Sequence, residues 1–166
     1  CTDTPTLIPF LNQLKEKLGF QYEKVVTDAG YESEENYVYL EASGQLAYIK
    51  PINYEKAKTR KYKNDIGRYE NMRYDPERDE YCCAQGKRLR KVARKREKTA
   101  TGYKSEKSIY ACEDCAGCPQ KSECVKGNSK KPLEERTKKL YIAKKFIEER
   151  EKSQARITSK EGIRLR

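Results

Sequence analysis

Tyr22-Glu23-Lys24-Val25-Val26-Thr27-Asp28-Ala29-Gly30-Tyr31 is a short apolar run that delivers one carboxylate into a glycine turn. A strand end fixes a side chain's direction far better than a loose loop does, and Gly30 can take backbone angles closed to its neighbours. Asp28 therefore has two readings: a metal ligand at a strand end, or a turn residue that bonds its own backbone. Upstream, Leu7, Phe10 or Leu11, Leu14 and Leu18 recur at helical spacing, and Gly19 supplies a stop. Phe20 to Val26 read as a short strand. Ser33 can cap a second helix carrying Tyr37 and Leu40, Gly44 can end it, and Leu46 to Ile49 form another strand. This helix, strand, helix, strand order predicts a parallel α/β unit with Asp28 at the carboxyl end of a strand, where ligands collect.

The composition is poor for one large core. Of 166 residues, 36% are hydrophobic and 38% charged; there is no Trp and only three Phe, so 13 Tyr must supply the aromatic packing. Each buried tyrosine brings a hydroxyl that needs a partner. No apolar run approaches the roughly 20 residues that span a bilayer, and no charged-then-apolar leader precedes Cys1. The expectation is a soluble, cytoplasmic chain with no membrane partner. Residues 1–49 hold three basic and eight acidic side chains, a balance of −5, against +16 for the remainder. Periodicity also fades after Pro51, which predicts segments 1–51, 52–131 and 132–166. In the last of these, Leu140, Ala143 and Ile147 recur at helical spacing after Leu133, predicting an exposed amphipathic helix that frays near Ser153. No internal repeat is evident.

Cys112-x2-Cys115-x2-Cys118-x5-Cys124 is dense and local, and Cys82-Cys83 precedes it. Tetrahedral zinc needs four soft ligands without long excursions between them, and such spacing supplies them. An iron–sulfur centre would use the same ligands, and plain reduced thiols are a third reading. Disulfides rank last: seven cysteines are an odd number, and nothing marks the chain for an oxidising compartment.

Lys87, Arg88, Arg90, Lys91, Arg94, Lys95, Arg96 and Lys98 stand against a single acid, Glu97, in their stretch of sequence. Such density calls for a polyanion, and DNA phosphates are the natural counter-charge. The bland alternative is a solvated charged loop. Tyr103 and Tyr110 are candidates to stack on bases, with Tyr110 expected mainly to pack beside the cysteines.

Asp28-Ala29-Gly30-Tyr31 runs on into Glu32-Ser33-Glu34-Glu35-Asn36-Tyr37, then Tyr48-Ile49-Lys50-Pro51, Asn71-Met72-Arg73-Tyr74-Asp75, the cysteine cluster and Ser159-Lys160-Glu161-Gly162-Ile163-Arg164-Leu165-Arg166. In that order and spacing, nearly the whole chain resembles the DDE transposases of bacterial insertion sequences. The resemblance implies a partial ribonuclease-H-like core followed by a cysteine-rich insertion and a C-terminal helix. It makes Asp28 the second of three acids that hold Mg²⁺ for DNA cleavage and strand transfer. The first acid would lie on a strand upstream of this region, and the Glu on a helix shortly after a segment like Gly162 to Arg166. The chain is thus expected to be an internal fragment, inactive alone. Asp3, before Thr4-Pro5, reads as a helix-start residue and not as a substitute for the first acid.

The same resemblance picks out Cys83, Cys115, Cys118 and Cys124 as a structural zinc set, with Cys112 an alternative ligand and Cys82 supernumerary. Ala84 departs from the family, which often has Pro there. Transposon-end and target DNA are the implied partners, in a bacterial, nucleoid-associated setting, with a homodimer for the full-length protein. The competing account is a non-enzymatic, zinc-stabilised nucleic-acid-binding module. A weaker third is a protein-interaction scaffold using the terminal helix.

Overall fold

The computed structural model describes residues 3–165. In chain order the elements are α1 (Leu7–Leu18), β1 (Lys24–Thr27), α2 (Glu34–Ala42), β2 (Leu46–Ile49), α3 (Arg60–Lys63), β3 (Arg73–Asp75), β4 (Glu80–Cys82), β5 (Arg88–Lys98), β6 (Lys104–Cys112), α4 (Lys121–Cys124), β7 (Lys139–Ile142), α5 (Lys144–Thr158) and α6 (Lys160–Leu165). They gather into two compact units. One holds residues 3–55, 98–105 and 144–165; the other holds 56–97 and 106–143.

The first unit is built on the predicted α/β order. Gly19 ends α1 in the left-handed conformation, φ 75°, which costs glycine little and other residues much. Ser33 caps α2 by accepting the Asn36 N–H at 3.1 Å. β1 and β2 pair in parallel, Val25 opposite Ala47 and Thr27 opposite Ile49, although β1 starts at Lys24 and not at Phe20. Phe20 and Tyr22 are instead half-exposed, with their rings edge to face at 5.2 Å. Leu7, Val25, Tyr37, Leu40, Ala47 and Ile49 form the core, and Phe146 of α5 packs against them. Each of the Leu, Val and Ile side chains contributes roughly 1.5–3 kcal/mol by leaving water.

The C-terminal segment departs from the expected helix. Leu140 and Ile142 are buried between exposed Lys139 and Tyr141, the alternation of a strand, and they pair with β6. The helix begins only at Lys144, and Ser153 does not fray: it is fully buried in the middle of α5. Its hydroxyl accepts the Ile49 N–H at 2.9 Å and lies 3.0 Å from the Ile49 carbonyl. Thus α5 satisfies backbone groups of β2 that no third strand pairs among the described residues. Gly162 lets α6 turn close, since a Cβ there would sit 2.1 Å from the Arg156 carbonyl oxygen.

The second unit carries a five-stranded sheet in the order β3-β4-β5-β6-β7. Its interior is aromatic and mixed: Tyr81 and Tyr110 meet edge to face at 5.0 Å beside buried Leu89, Leu140 and Ile142. The tyrosine hydroxyls find carboxylates. Asp79, at φ 52°, accepts from Tyr74 at 2.7 Å and Tyr110 at 2.6 Å, and Glu70 accepts from Tyr62 at 2.6 Å. In the first unit Glu32, Glu161 and Glu34 do the same for Tyr37, Tyr48 and Tyr103.

Candidate functional site

Asp28 follows the last residue of β1 with extended backbone, and its Oδ1 accepts the Gly30 N–H at 2.9 Å. The turn bond foreseen as an alternative to ligation is present, yet it uses one lone pair of one oxygen. The side chain is exposed, so the rest of the carboxylate is open. Asp3 heads the Thr4–Thr6 turn as expected, but its side chain makes no capping bond. It faces Gly30 instead: a Cβ built there would lie 3.1 Å from Asp28 Oδ1 and 3.5 Å from Asp3 Oδ2. Two carboxylates therefore flank one glycine at the carboxyl end of a parallel strand pair.

Buried polar groups hold this corner. Asn36 Nδ2 donates to the Thr4 and Tyr31 carbonyls at 3.0 and 2.8 Å, tying the Asp3 turn to the Asp28 turn. Just beyond, Glu32 is gripped by the Arg150 guanidinium at 2.7 and 2.9 Å, and accepts the Ile52 N–H at 2.8 Å. The Glu32 side chain is 1% exposed and Arg150 15%, so this pair, charge-assisted and bidentate, is an interior anchor. The sequence concealed it, because a Glu inside an acidic run looks like a surface residue. Burial, with the nearby Glu32 charge, pushes the Tyr37 hydroxyl well above its ordinary range. Glu161, in the terminal helix, does not approach Asp28; it lies on Lys24 Nζ at 2.5 Å and Tyr48 Oη at 2.6 Å.

The cysteines form a second cluster, within the other unit. Cys83, Cys112, Cys115, Cys118 and Cys124 line one cavity of about 20 Å³, together with Lys87, Lys121 and Lys138. That volume has room for about one water-sized occupant. Cys82 is not on its wall. All six described cysteines are free thiols. Burial pushes the Cys112 thiol up to about 12, with Cys115 adding to the effect, and burial also raises Cys124. Cys115 Sγ accepts the Lys138 N–H at 3.4 Å, while Cys112 Sγ points to the Asp114 carbonyl at 3.3 Å. Among the described residues no group of three or more Cys, Asp or Glu side chains is already set to hold a metal ion. Occupancy would therefore require the thiols to turn inward from these bonds. Around them, Lys138 Nζ binds the Gly67 and Cys124 carbonyls at 2.6 and 2.9 Å, which knits the cavity wall.

The basic run is no loop: it is β5, eleven residues long, with Arg88, Arg90, Arg94, Arg96 and Lys98 all exposed. Neighbouring segments bring acids that the run itself lacks. Glu80 lies 3.8 and 3.0 Å from Arg88 and Arg90, and Glu106 lies 3.6 and 3.2 Å from Arg94 and Arg96. Lys87 meets Asp114, Lys91 meets Asp79, and Lys95 meets Glu97. Lys107 and Lys95 hold the Glu97 carboxyl down to about 2. Of the eight cations, Lys98 alone has no acidic partner among the described residues. Tyr103 is half-buried, its hydroxyl donates to Glu34 at 2.9 Å, and burial with that carboxylate pushes it up to about 12. Tyr110 is fully buried. Neither ring is free to receive a base.

No helix among the described residues is long and apolar enough to cross a membrane. No curated protein and no solved structure matches the chain. The pattern of one protein family, described as transposase DDE domain, matches residues 82–166. That span takes in the Cys82-Cys83 pair, the cysteine cavity, the basic strand and α5, and it is half of the sequence. The chain belongs to the transposase DDE domain family.

Proposed function

We propose that the chain contributes Asp28 to the catalytic centre of a DNA transposase that cleaves insertion-sequence ends and joins them to target DNA. The observation that carries this is the exposed Asp28 carboxylate at the carboxyl end of parallel β1, in a chain whose residues 82–166 match the transposase DDE domain. Parallel α1-β1-α2-β2 order is compatible with a partial ribonuclease-H-like core. Bound Mg²⁺ ions would activate the attacking oxygen and offset charge on the leaving one during in-line displacement. The chain's own part is to hold one such ion through Asp28, whose direction is fixed by the Gly30 bond, Asn36 and the Glu32–Arg150 anchor. Asp28 alone cannot assemble that site, which needs an Asp from an upstream strand and a Glu from a downstream helix; Asp3, at the head of a turn, is not counted among them. We therefore expect this chain alone neither to nick nor to join DNA.

In the other unit, Cys83, Cys115, Cys118 and Cys124, with Cys112 as alternative, would hold a structural zinc ion; the shared cavity supports that donor set. A closed thiolate shell cross-links the chain and leaves no position for substrate. The β5 cations would contact DNA phosphates by exchanging their surface ion pairs, which are worth little individually. The protein would work as a homodimer in the nucleoid.

A non-enzymatic nucleic-acid-binding module is the second reading, favoured by the Asp28 turn bond. Reading the encoding DNA on both sides of this segment separates the two: the transposase account requires an upstream strand bearing Asp and a downstream helix bearing Glu. In protein extended by those segments, Asp28→Asn should abolish Mg²⁺-dependent cleavage of transposon-end DNA. Nicking of plasmid DNA by the 166-residue chain, retained after that substitution, would sink the assignment.

A further inference from the structure

A cleft of about 660 Å³ opens in the second unit between the loop after α4 and strand β7. Lys126, Lys131, Arg136, Lys138 and Lys139 line it, with Glu135 as its single acid and Tyr141 at its edge. This is a different surface from the β5 arginines, and its charge is less compensated. Three of its cations have structural employment. Lys126 pairs with Asp65 at 2.8 Å, Lys138 binds two carbonyls of the cysteine-cavity wall, and Arg136 donates to the Lys126 carbonyl at 2.9 Å. Lys131 and Lys139 are exposed and have no ion pair among the described residues. Both line the same cleft, whose walls the first three help to tie together.

Tyr141 adds a second chemistry. It shares the outer face of β7 with Lys139, because Leu140 and Ile142 alternate inward, and it is 56% exposed. Asn128, Ser129 and Thr137 add neutral hydrogen-bonding groups to the walls. Two uncommitted ammonium groups, neutral donors and an exposed aromatic face suit a sugar-phosphate backbone with a base beside it. A compact anion such as free phosphate would engage the lysines and leave the ring unused.

We propose that this cleft binds the phosphodiester backbone of a DNA strand through Lys131 and Lys139, with Tyr141 stacking on a base. The ligand class rests on the DNA-acting reading above; the location rests on the charge and shape of the cleft. The β5 strand then serves as a secondary contact, since most of its cations must first give up a carboxylate.

Fluorescence anisotropy of the full chain with a short labelled duplex and with its single strand tests this across a salt series. Lys131→Ala with Lys139→Ala should weaken binding on the order of tenfold and lower the salt slope by roughly 1.4 for single strands or 1.8 for duplex, two phosphates released. Tyr141→Ala should weaken the single strand more than the duplex and leave the slope unchanged. Lys131→Arg with Lys139→Arg should retain binding, and unchanged circular dichroism excludes misfolding. Loss of binding on Arg94→Ala with Arg96→Ala, while the lysine pair is neutral, would overturn the cleft and keep the DNA-acting reading. Absence of DNA binding by the unsubstituted chain at low salt would overturn both. Equal competition by inorganic phosphate at matched ionic strength would reduce the cleft to a simple anion site and also overturn the proposal.

Discussion

The two units solve the same shortage of apolar residues differently. The first stacks Leu7, Val25, Leu40, Ala47 and Ile49 around one buried tyrosine, Tyr37, in a mainly aliphatic core against which Phe146 of α5 packs. The second has Tyr81, Tyr110, Leu89 and Leu140 on a sheet, with five cysteines around one small cavity. Aliphatic burial needs no partner atoms, whereas tyrosines and thiols must each be satisfied by something else. The first unit rests mainly on aliphatic packing, with the buried Glu32–Arg150 pair as its polar anchor; the second leans on Asp79, on carbonyl-binding lysines and on whatever the thiols hold.

The sharpest way to break this contrast is to remove metal. If zinc fills the cysteine cavity, a strong chelator should strip hydrogen-exchange protection from residues 56–97 and 106–143 and spare α1, α2 and α5. Structural zinc binding is worth on the order of 10 kcal/mol. Protection lost evenly across the chain, or not at all, would remove zinc from the account. Next in size is Arg150→Ala, which strands the buried Glu32 carboxylate and should cost about 3–5 kcal/mol, seen in denaturant unfolding of the first unit. Arg150→Met combined with Glu32→Gln should recover much of that loss, and failure to do so would show that the pair supplies more than mutual neutralisation.

Ser153→Ala should cost about 1–3 kcal/mol by leaving the Ile49 N–H buried and unpaired. Faster exchange at Ile49, with the second unit unchanged, is the expected signature. The smallest effect concerns acid. Hydrogen bonds from Lys145 and Lys152 hold the Glu41 carboxyl down to about 2, below its ordinary value of about 4.3. Its folded pKa is depressed, so the contribution is complete above the ordinary value and lost as pH falls toward 2. Melting temperatures of Glu41→Gln and the unsubstituted protein should differ slightly near about pH 5 and converge near about pH 2. The group is exposed, so added salt should shrink the gap.

What could be read from the sequence was what local chemistry decides. Gly19 and Ser33 end and begin helices through bonds spanning three or four residues, and both act where the spacing put them. Leu140 misled because one apolar residue can serve two periods; helical spacing to Ala143 and Ile147 coincided with the alternation Lys139 to Ile142 that the sheet uses. Ser153 looked like a point of fraying because its acceptors and donor lie on β2, over a hundred residues away. Glu32 and the acids beside β5 were hidden for the same reason: their partners are assembled by the fold. Asp28 was visible as a strand-end carboxylate, but the approach of Asp3 depends on Asn36 joining two turns.

The bond from Ile49 to Ser153 spans 104 residues, and the entire second unit is encoded between its two ends. At roughly 5–20 residues per second a ribosome needs roughly 5–20 s to bridge that gap. For that interval β2 emerges with an uncovered edge, and its amides face solvent or a chaperone. The nascent chain is most vulnerable to aggregation after β2 is made and before α5 appears, so a ribosome stalled within the basic strand would release the most adhesive form of this protein.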